Sequence, residues 1–124
     1  MIEHVKFAHL PVFDQDRALA FYRDRLGLEV VADAPFDQHR RWIELAIPGA
    51  RTRLWFAPRE DDAPSAEPSQ IFISDDIRDD YERLRRRGVS FIAEPGPAPW
   101  NESELYAMFN DSEGNLLVLS QYVR

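Results

Sequence analysis

Apolar residues along this chain switch between a spacing of two and a spacing of three to four, and they do so twice in the same order. Val5 to Val12 reads as a strand of mostly apolar residues. Asp14 then opens the run DQDRALAFYRDRLG, where Ala18, Phe21, Tyr22 and Arg25 recur at helical spacing and Leu26 lies near the end. Gly27 suits a left-handed stop. Leu28 to Ala32 begins a second strand. Arg41 to Ile47 and Arg51 to Ala57 flank Pro48-Gly49-Ala50, which predicts a hairpin turn.

The order then restarts. Ile71 to Ser74 is a short strand, and Asp76 opens DIRDDYERLRRRG with Ile77, Tyr81 and Leu84 on one face and Gly88 as the stop. Val89 to Ala93 begins a strand. Leu105 to Asn110 and Asn115 to Val123 flank the polar turn Asp111-Ser112-Glu113-Gly114-Asn115. Each half is strand, helix, three strands, so two related modules are expected: 1–57 and 70–124. The polar, proline-rich segment 58–69 reads as the linker between them, and 94–103, EPGPAPWNES, as a second irregular segment. The whole chain, 1–124, is read as one domain of α+β class. Its two βαβββ modules are expected to form curled mixed sheets around a cavity, with the helices outside.

Charge and composition narrow the function classes. With 15 basic against 22 acidic residues the net charge is -7, which argues against a nucleic-acid partner. The basic run Arg83 to Arg87 sits at a helix end, where it has a local reason. No cysteine is present, which excludes thiolate catalysis, disulfides and cysteine-ligated zinc. No apolar run is long enough to span a membrane. MIEHVKFAHL lacks the features of a secretion signal, so the expected location is cytoplasmic. The acidic residues Asp75, Asp76, Asp79 and Asp80 are better explained by capping and by an Asp79–Arg83 pair than by a metal. The run Glu60-Asp61-Asp62 reads as a hydrated linker, or as a surface that attracts cations.

The two stretches VFDQDRALAFYRDRLGLEV and FNDSEGNLLVLSQ, with the doubled module order, resemble the vicinal oxygen chelate superfamily of glyoxalase I, extradiol dioxygenases and bleomycin-resistance proteins. RWIELAIPGA and PW resemble those of a bacterial branch that lacks the usual metal ligands. The resemblance covers nearly the whole chain and implies a homodimer. It also implies where metal ligands would stand. Those positions fall at Phe7, at Ser69, near Glu44 or Leu54, and at Val118. Phe and Val have no donor for a cation, and serine is a weak one. No cofactor is therefore expected. A divalent metal held by His9 and Glu44 stands as the alternative.

Strand alternation puts Phe7 and His9 on one face, Trp42 with Glu44, Tyr106 with Met108, and Val118 with Ser120. The resemblance makes these the cavity faces. The expected ligand-binding set is Phe7, His9, Arg41, Trp42, Glu44, Trp55, Trp100, Tyr106, Met108 and Val118, an aromatic surface with a few polar handles. Trp42 and Trp55 can equally be sheet-core residues, and Arg41 can equally face solvent. The function this implies is metal-independent binding or sequestration of a small aromatic or cationic molecule, as in bleomycin-resistance proteins. Two alternatives stay open: a glyoxalase- or dioxygenase-like enzyme with Glu44 and His9 as catalytic groups, and a structural or regulatory dimer.

Overall fold

Asp14 and Asp76 act as the expected helix caps. The Asp14 carboxylate accepts the Arg17 backbone N–H at 3.0 Å and opens α1 (Gln15–Leu19). Asp76 accepts the Asp79 backbone N–H at 3.1 Å and opens α2 (Ile77–Arg86). Both helices run into a glycine at positive φ, Gly27 at 78° and Gly88 at 88°, where a side chain would be strained. The first helix departs from the expected form. Beyond Leu19 it widens into a π-helical stretch, Ala20–Arg25, and the Leu26 N–H reaches the Phe21 carbonyl at 3.1 Å. In this wide turn the sequence neighbours Phe21 and Tyr22 are both buried.

The computed structural model describes residues 1–61, 63 and 65–123. Asp62 of the acidic run and Pro64 of the expected linker lie outside the described residues. The chain divides into two compact units, 1–62 and 63–124. The first holds β1 (Phe7–Val12), α1, β2 (Glu29–Pro35), β3 (Arg41–Ala46) and β4 (Arg53–Pro58). Its sheet runs in the order β1-β4-β3-β2, with β1 parallel to β4 and the other pairs antiparallel. Leu10, Ile43, Leu45, Leu54 and Phe56 are buried on one sheet face, and the Tyr22 ring lies 5.8 Å from that of Phe56. The helical segment therefore covers this face.

The second unit repeats the plan with β5 (Pro68–Ile73), α2, β6 (Phe91–Ala98), β7 (Asn101–Asn110) and β8 (Leu116–Tyr122). The order is β5-β8-β7-β6, again with one parallel pair, β5 with β8. Ala107, Phe109, Leu117 and Leu119 are buried on the face that α2 covers, and Tyr81, Phe91 and Phe109 form a run of ring contacts at 4.7 and 5.2 Å. The turn before β8 is a buried polar knot. Asp111 Oδ1 accepts the Glu113 and Asn115 backbone N–H groups at 2.8 Å, and Asn115 Nδ2 donates to Asp111 Oδ2 at 2.8 Å. These residues have a structural task, to turn the chain and aim β8.

Three expectations need correction. The sheets are mixed and carry their helices on one face, but they are open, not curled or closed around a cavity. Each ladder ends at its outer strands, with β1 and β2 at the edges of the first sheet and β5 and β6 at the edges of the second, so nothing closes either sheet on itself. Most of 94–103 is strand, not irregular loop. Its prolines hid a hairpin, because Pro95 and Pro97 sit on the edge strand β6, where missing N–H donors are tolerated and the register slips repeatedly. Finally, Arg83 pairs with Asp80 and not with Asp79, one residue closer along α2. Among the described residues no helix is long and apolar enough to cross a membrane.

Candidate functional site

The alternation that sends Leu45 and Leu54 under the helix sends Trp42, Glu44 and Trp55 to the other face of the first sheet. The register lines up Ala32, Glu44, Trp55 and His9 in one row across β2, β3, β4 and β1. Around that row the rings meet. Trp42 lies 4.9 Å from Trp55 in a tilted stack, Phe7 stands edge-on to Trp42 at 6.1 Å, and His9 stands edge-on to Trp55 at 5.0 Å. Phe36 packs on Trp42 at 5.8 Å. The two tryptophans and Phe7 are half-buried, and His9 is exposed. The face thus offers a partly accessible surface of tilted and edge-on rings instead of a sealed core.

Glu44 is the acidic member of this face, and both its oxygens are engaged. Trp42 Nε1 donates to Oε2 at 2.7 Å, and an Arg53 Nη donates to Oε1 at 3.1 Å. The indole hydrogen bond, then Arg53 and the Lys6 charge, hold the Glu44 carboxyl below the ordinary glutamate value against the opposing pull of burial. Glu44 is consequently a carboxylate at neutral pH. It is built to stay charged, not to exchange a proton near pH 7.

Arg41 does not join this face. It neighbours Trp42 in sequence and so points to the opposite side of β3. There it donates to Asp33 at 2.8 Å and to Asp16 at 2.9 Å, and its main chain exchanges two hydrogen bonds with the Gln15 amide. It ties β2 and β3 to the start of α1. A cleft of about 460 Å³ opens beside it, lined by Asp14, Gln15, His39, Arg40 and Arg59 among others.

In the second unit the register gives two rows on the face away from α2. One is Ala93, Met108, Val118 and Ile71; the other is Gly96, Tyr106, Ser120 and Ile73. Tyr106, Met108 and Val118 are thereby brought together. Trp100 sits in the turn between β6 and β7, half exposed, with its ring 5.0 Å from Tyr106 and its Nε1 donating to Glu104 at 2.9 Å.

The family's metal positions do not fit a metal. Val118 is 2% exposed between Met108 and Ile71, a hydrocarbon setting. Phe7 contributes a ring edge to Trp42. Ser69 lies on β5 at a register irregularity. Leu54 is buried under the helix, which leaves Glu44 as the central-strand position, and its oxygens already have donors. Among the described residues no three His, Cys, Asp or Glu side chains gather as a metal site requires.

Three contributors were not singled out in the expected set. Arg53 lies two residues before Trp55 and shares its face, which period two reveals. Ser120 follows Val118 by the same rule. Phe36 lies in an irregular, exposed stretch and gives no periodic signal.

The profile of the Glyoxalase/Bleomycin resistance protein/Dioxygenase superfamily matches residues 2–119. The uncharacterized protein YetH of Bacillus subtilis (strain 168) is 30% identical over 123 residues, 98% of this chain and 100% of that protein. A crystal structure of a superfamily member from Sphaerobacter thermophilus DSM 20745 is similar at a TM-score of 0.82 and 32% identity, covering 97% of this chain and 98% of that one. TnmS3, an antibiotic binding protein from Streptomyces sp. CB03234, is similar at 0.80 and 34%, covering 98% and 97%. With its doubled strand–helix–strand plan and a profile match over nearly its full length, this chain belongs to the glyoxalase/bleomycin resistance protein/dioxygenase superfamily, without an evident metal-binding triad among the described residues.

Proposed function

We propose that this protein binds and sequesters a small aromatic or cationic molecule without using a metal. The observation that carries the reading is the half-buried Trp42–Trp55 stack, flanked by Phe7 and His9, with an ionised Glu44 at its edge. Flat rings stack on such a surface, and a carboxylate beside it favours a cation. The likeness to an antibiotic binding protein supports the same class of task. We assign ligand contacts to Phe7, His9, Trp42, Glu44 and Trp55 on the first sheet; Trp100, Tyr106, Met108 and Val118 are proposed as a separate contact face within the second unit. Arg41 is left out of this set because its two carboxylate partners already use its charge. The protein is proposed to work as a homodimer in the cytoplasm, with no nucleic-acid partner given its net charge of -7. A catalytic base at Glu44 would need a raised proton affinity, and its surroundings lower it.

Titration of indole fluorescence with planar ammonium compounds tests this. Saturable quenching is expected, weakened by salt. The pH dependence follows from the sign of the Glu44 shift. Its folded value lies below the unfolded one, so the carboxylate charge persists below the ordinary glutamate value of about 4.3. Cation affinity should stay level from about pH 8 to about pH 5 as far as Glu44 sets it, and fall only in stronger acid. The stability Glu44 contributes is complete above the unfolded value and is lost as pH falls through the folded one. An affinity that declines with Glu44 titration between about pH 7 and about pH 5 would contradict this assignment.

A further inference from the structure

We propose that the second unit carries its own binding site for a compact alkylated ammonium group, built from Glu104, Trp100, Tyr106 and Tyr122. This rests on the reading of the protein as a binder of small cationic molecules, and adds to it a site that needs no residue of the first unit. Glu104 sits near the start of β7, at the tip of the β6–β7 hairpin. Both its oxygens are held. Trp100 Nε1 donates to Oε2 at 2.9 Å, and Asn101 Nδ2 donates to Oε1 at 3.2 Å. Asn101 is fixed in turn, because its Oδ1 accepts the Ser103 backbone N–H at 2.9 Å. Among the described residues these neutral donors are the partners of Glu104, and no lysine or arginine pairs with it. Glu44, by contrast, has Arg53 at 3.1 Å to answer its charge. Glu104 is therefore a carboxylate held in one place, with its charge left to act on a ligand.

Aromatic rings stand around it. Tyr106 follows Glu104 by two residues and shares its face of β7. Tyr122 stands directly across on β8, where opposed residues also share a face. Trp100 comes from the turn, its ring 5.0 Å from that of Tyr106. The group is open to a small solute: Trp100 is 51% exposed, Tyr122 is 60% exposed, and Glu104 and Tyr106 are half-buried. Gly96, opposite Tyr106, adds no side chain on the β6 flank. Ring faces attract a cation, and rings gathered beside a carboxylate suit an alkylated ammonium head, which is bulky, apolar at its rim and positively charged. A purely structural role at this hairpin tip would be served as well by glutamine, which also accepts an indole N–H but brings no charge.

The test follows the Trp100 indole N–H signal in the NMR spectrum of nitrogen-15-labelled protein, assigned through Trp100→Phe. The probes are choline and its uncharged isostere 3,3-dimethylbutanol, titrated through the millimolar range at constant ionic strength. Choline should move the Trp100 signal saturably, and the alcohol should not. Glu104→Gln should weaken choline binding about 5-fold while melting within a few degrees of wild type. Tyr122→Ala, a change at an exposed position, should weaken it about 3-fold. A Trp100 signal that choline leaves in place, that both probes move alike, or that moves unchanged in both variants overturns the assignment. If planar ammonium compounds still quench the indole fluorescence, it falls alone. If they bind nowhere either, it falls together with the proposed function.

Discussion

Replacing Trp42 with alanine is expected to weaken binding of a planar aromatic cation by about 30-fold or more, corresponding to about 2 kcal/mol. The substitution removes the ring that touches Phe7, Phe36 and Trp55 and also donates to Glu44. Glu44→Gln should cost less, about 3- to 10-fold, because Arg53 already answers part of the carboxylate charge. Stacking area, not charge, then dominates affinity. A second consequence separates this account from general damage. In Trp42→Ala the Glu44 carboxyl loses its main stabilising hydrogen bond, so its titration should move up toward the ordinary glutamate value. Isothermal calorimetry of both variants at several pH values checks the order. An affinity of Trp42→Ala within about 3-fold of wild type would remove the aromatic face from the site.

Phe109→Ala is expected to cost about 3–5 kcal/mol of stability in urea denaturation. Phe109 is 0% exposed, lies opposite Leu117 and packs on Phe91 beneath α2. A domain has about 5–15 kcal/mol in total, so this one change can unfold much of the population. Trp100→Ala, a larger truncation at a half-exposed turn, should cost only about 1 kcal/mol, mostly its edge contact with Tyr106. Equal losses from the two would contradict the placing of Phe109 in the core and Trp100 at a half-exposed turn.

The parts of this fold that could be read from the sequence are those set locally. Asp14, Asp76, Gly27 and Gly88 fix helix ends through contacts within a turn, so their roles could be read. Period two separated Tyr106, Met108 and Val118 from Phe109, Leu117 and Leu119, the family resemblance said which group faces away from the helix, and the structure buries Phe109, Leu117 and Leu119 on the face that α2 covers. The features decided by pairing between distant strands could not be read so well. Closure of a sheet depends on whether its outer strands meet, and no residue pattern in β1 or β2 reports that. The β6–β7 hairpin was obscured because Pro95 and Pro97 read as loop until the strand is known to be an edge. The widening at Ala20–Arg25 has no distinct spacing signal in a short helix. Within the site, Glu44 and Trp42 were legible as neighbours on one face. Arg41 was grouped with them by chemistry, although its position next to Trp42 already places it on the opposite face.

The most direct measurement is a binding titration of chelator-treated protein against planar aromatic ammonium compounds, with metal content determined on the same sample. The account predicts saturable binding to protein free of Zn, Ni, Fe and Mn, with an affinity unchanged when each ion is added back. Phe7 and Val118 offer no donor, and both Glu44 oxygens already accept hydrogen bonds. Binding or turnover that appears only with one ion per chain, and that is lost on His9→Ala or Glu44→Ala, would contradict it.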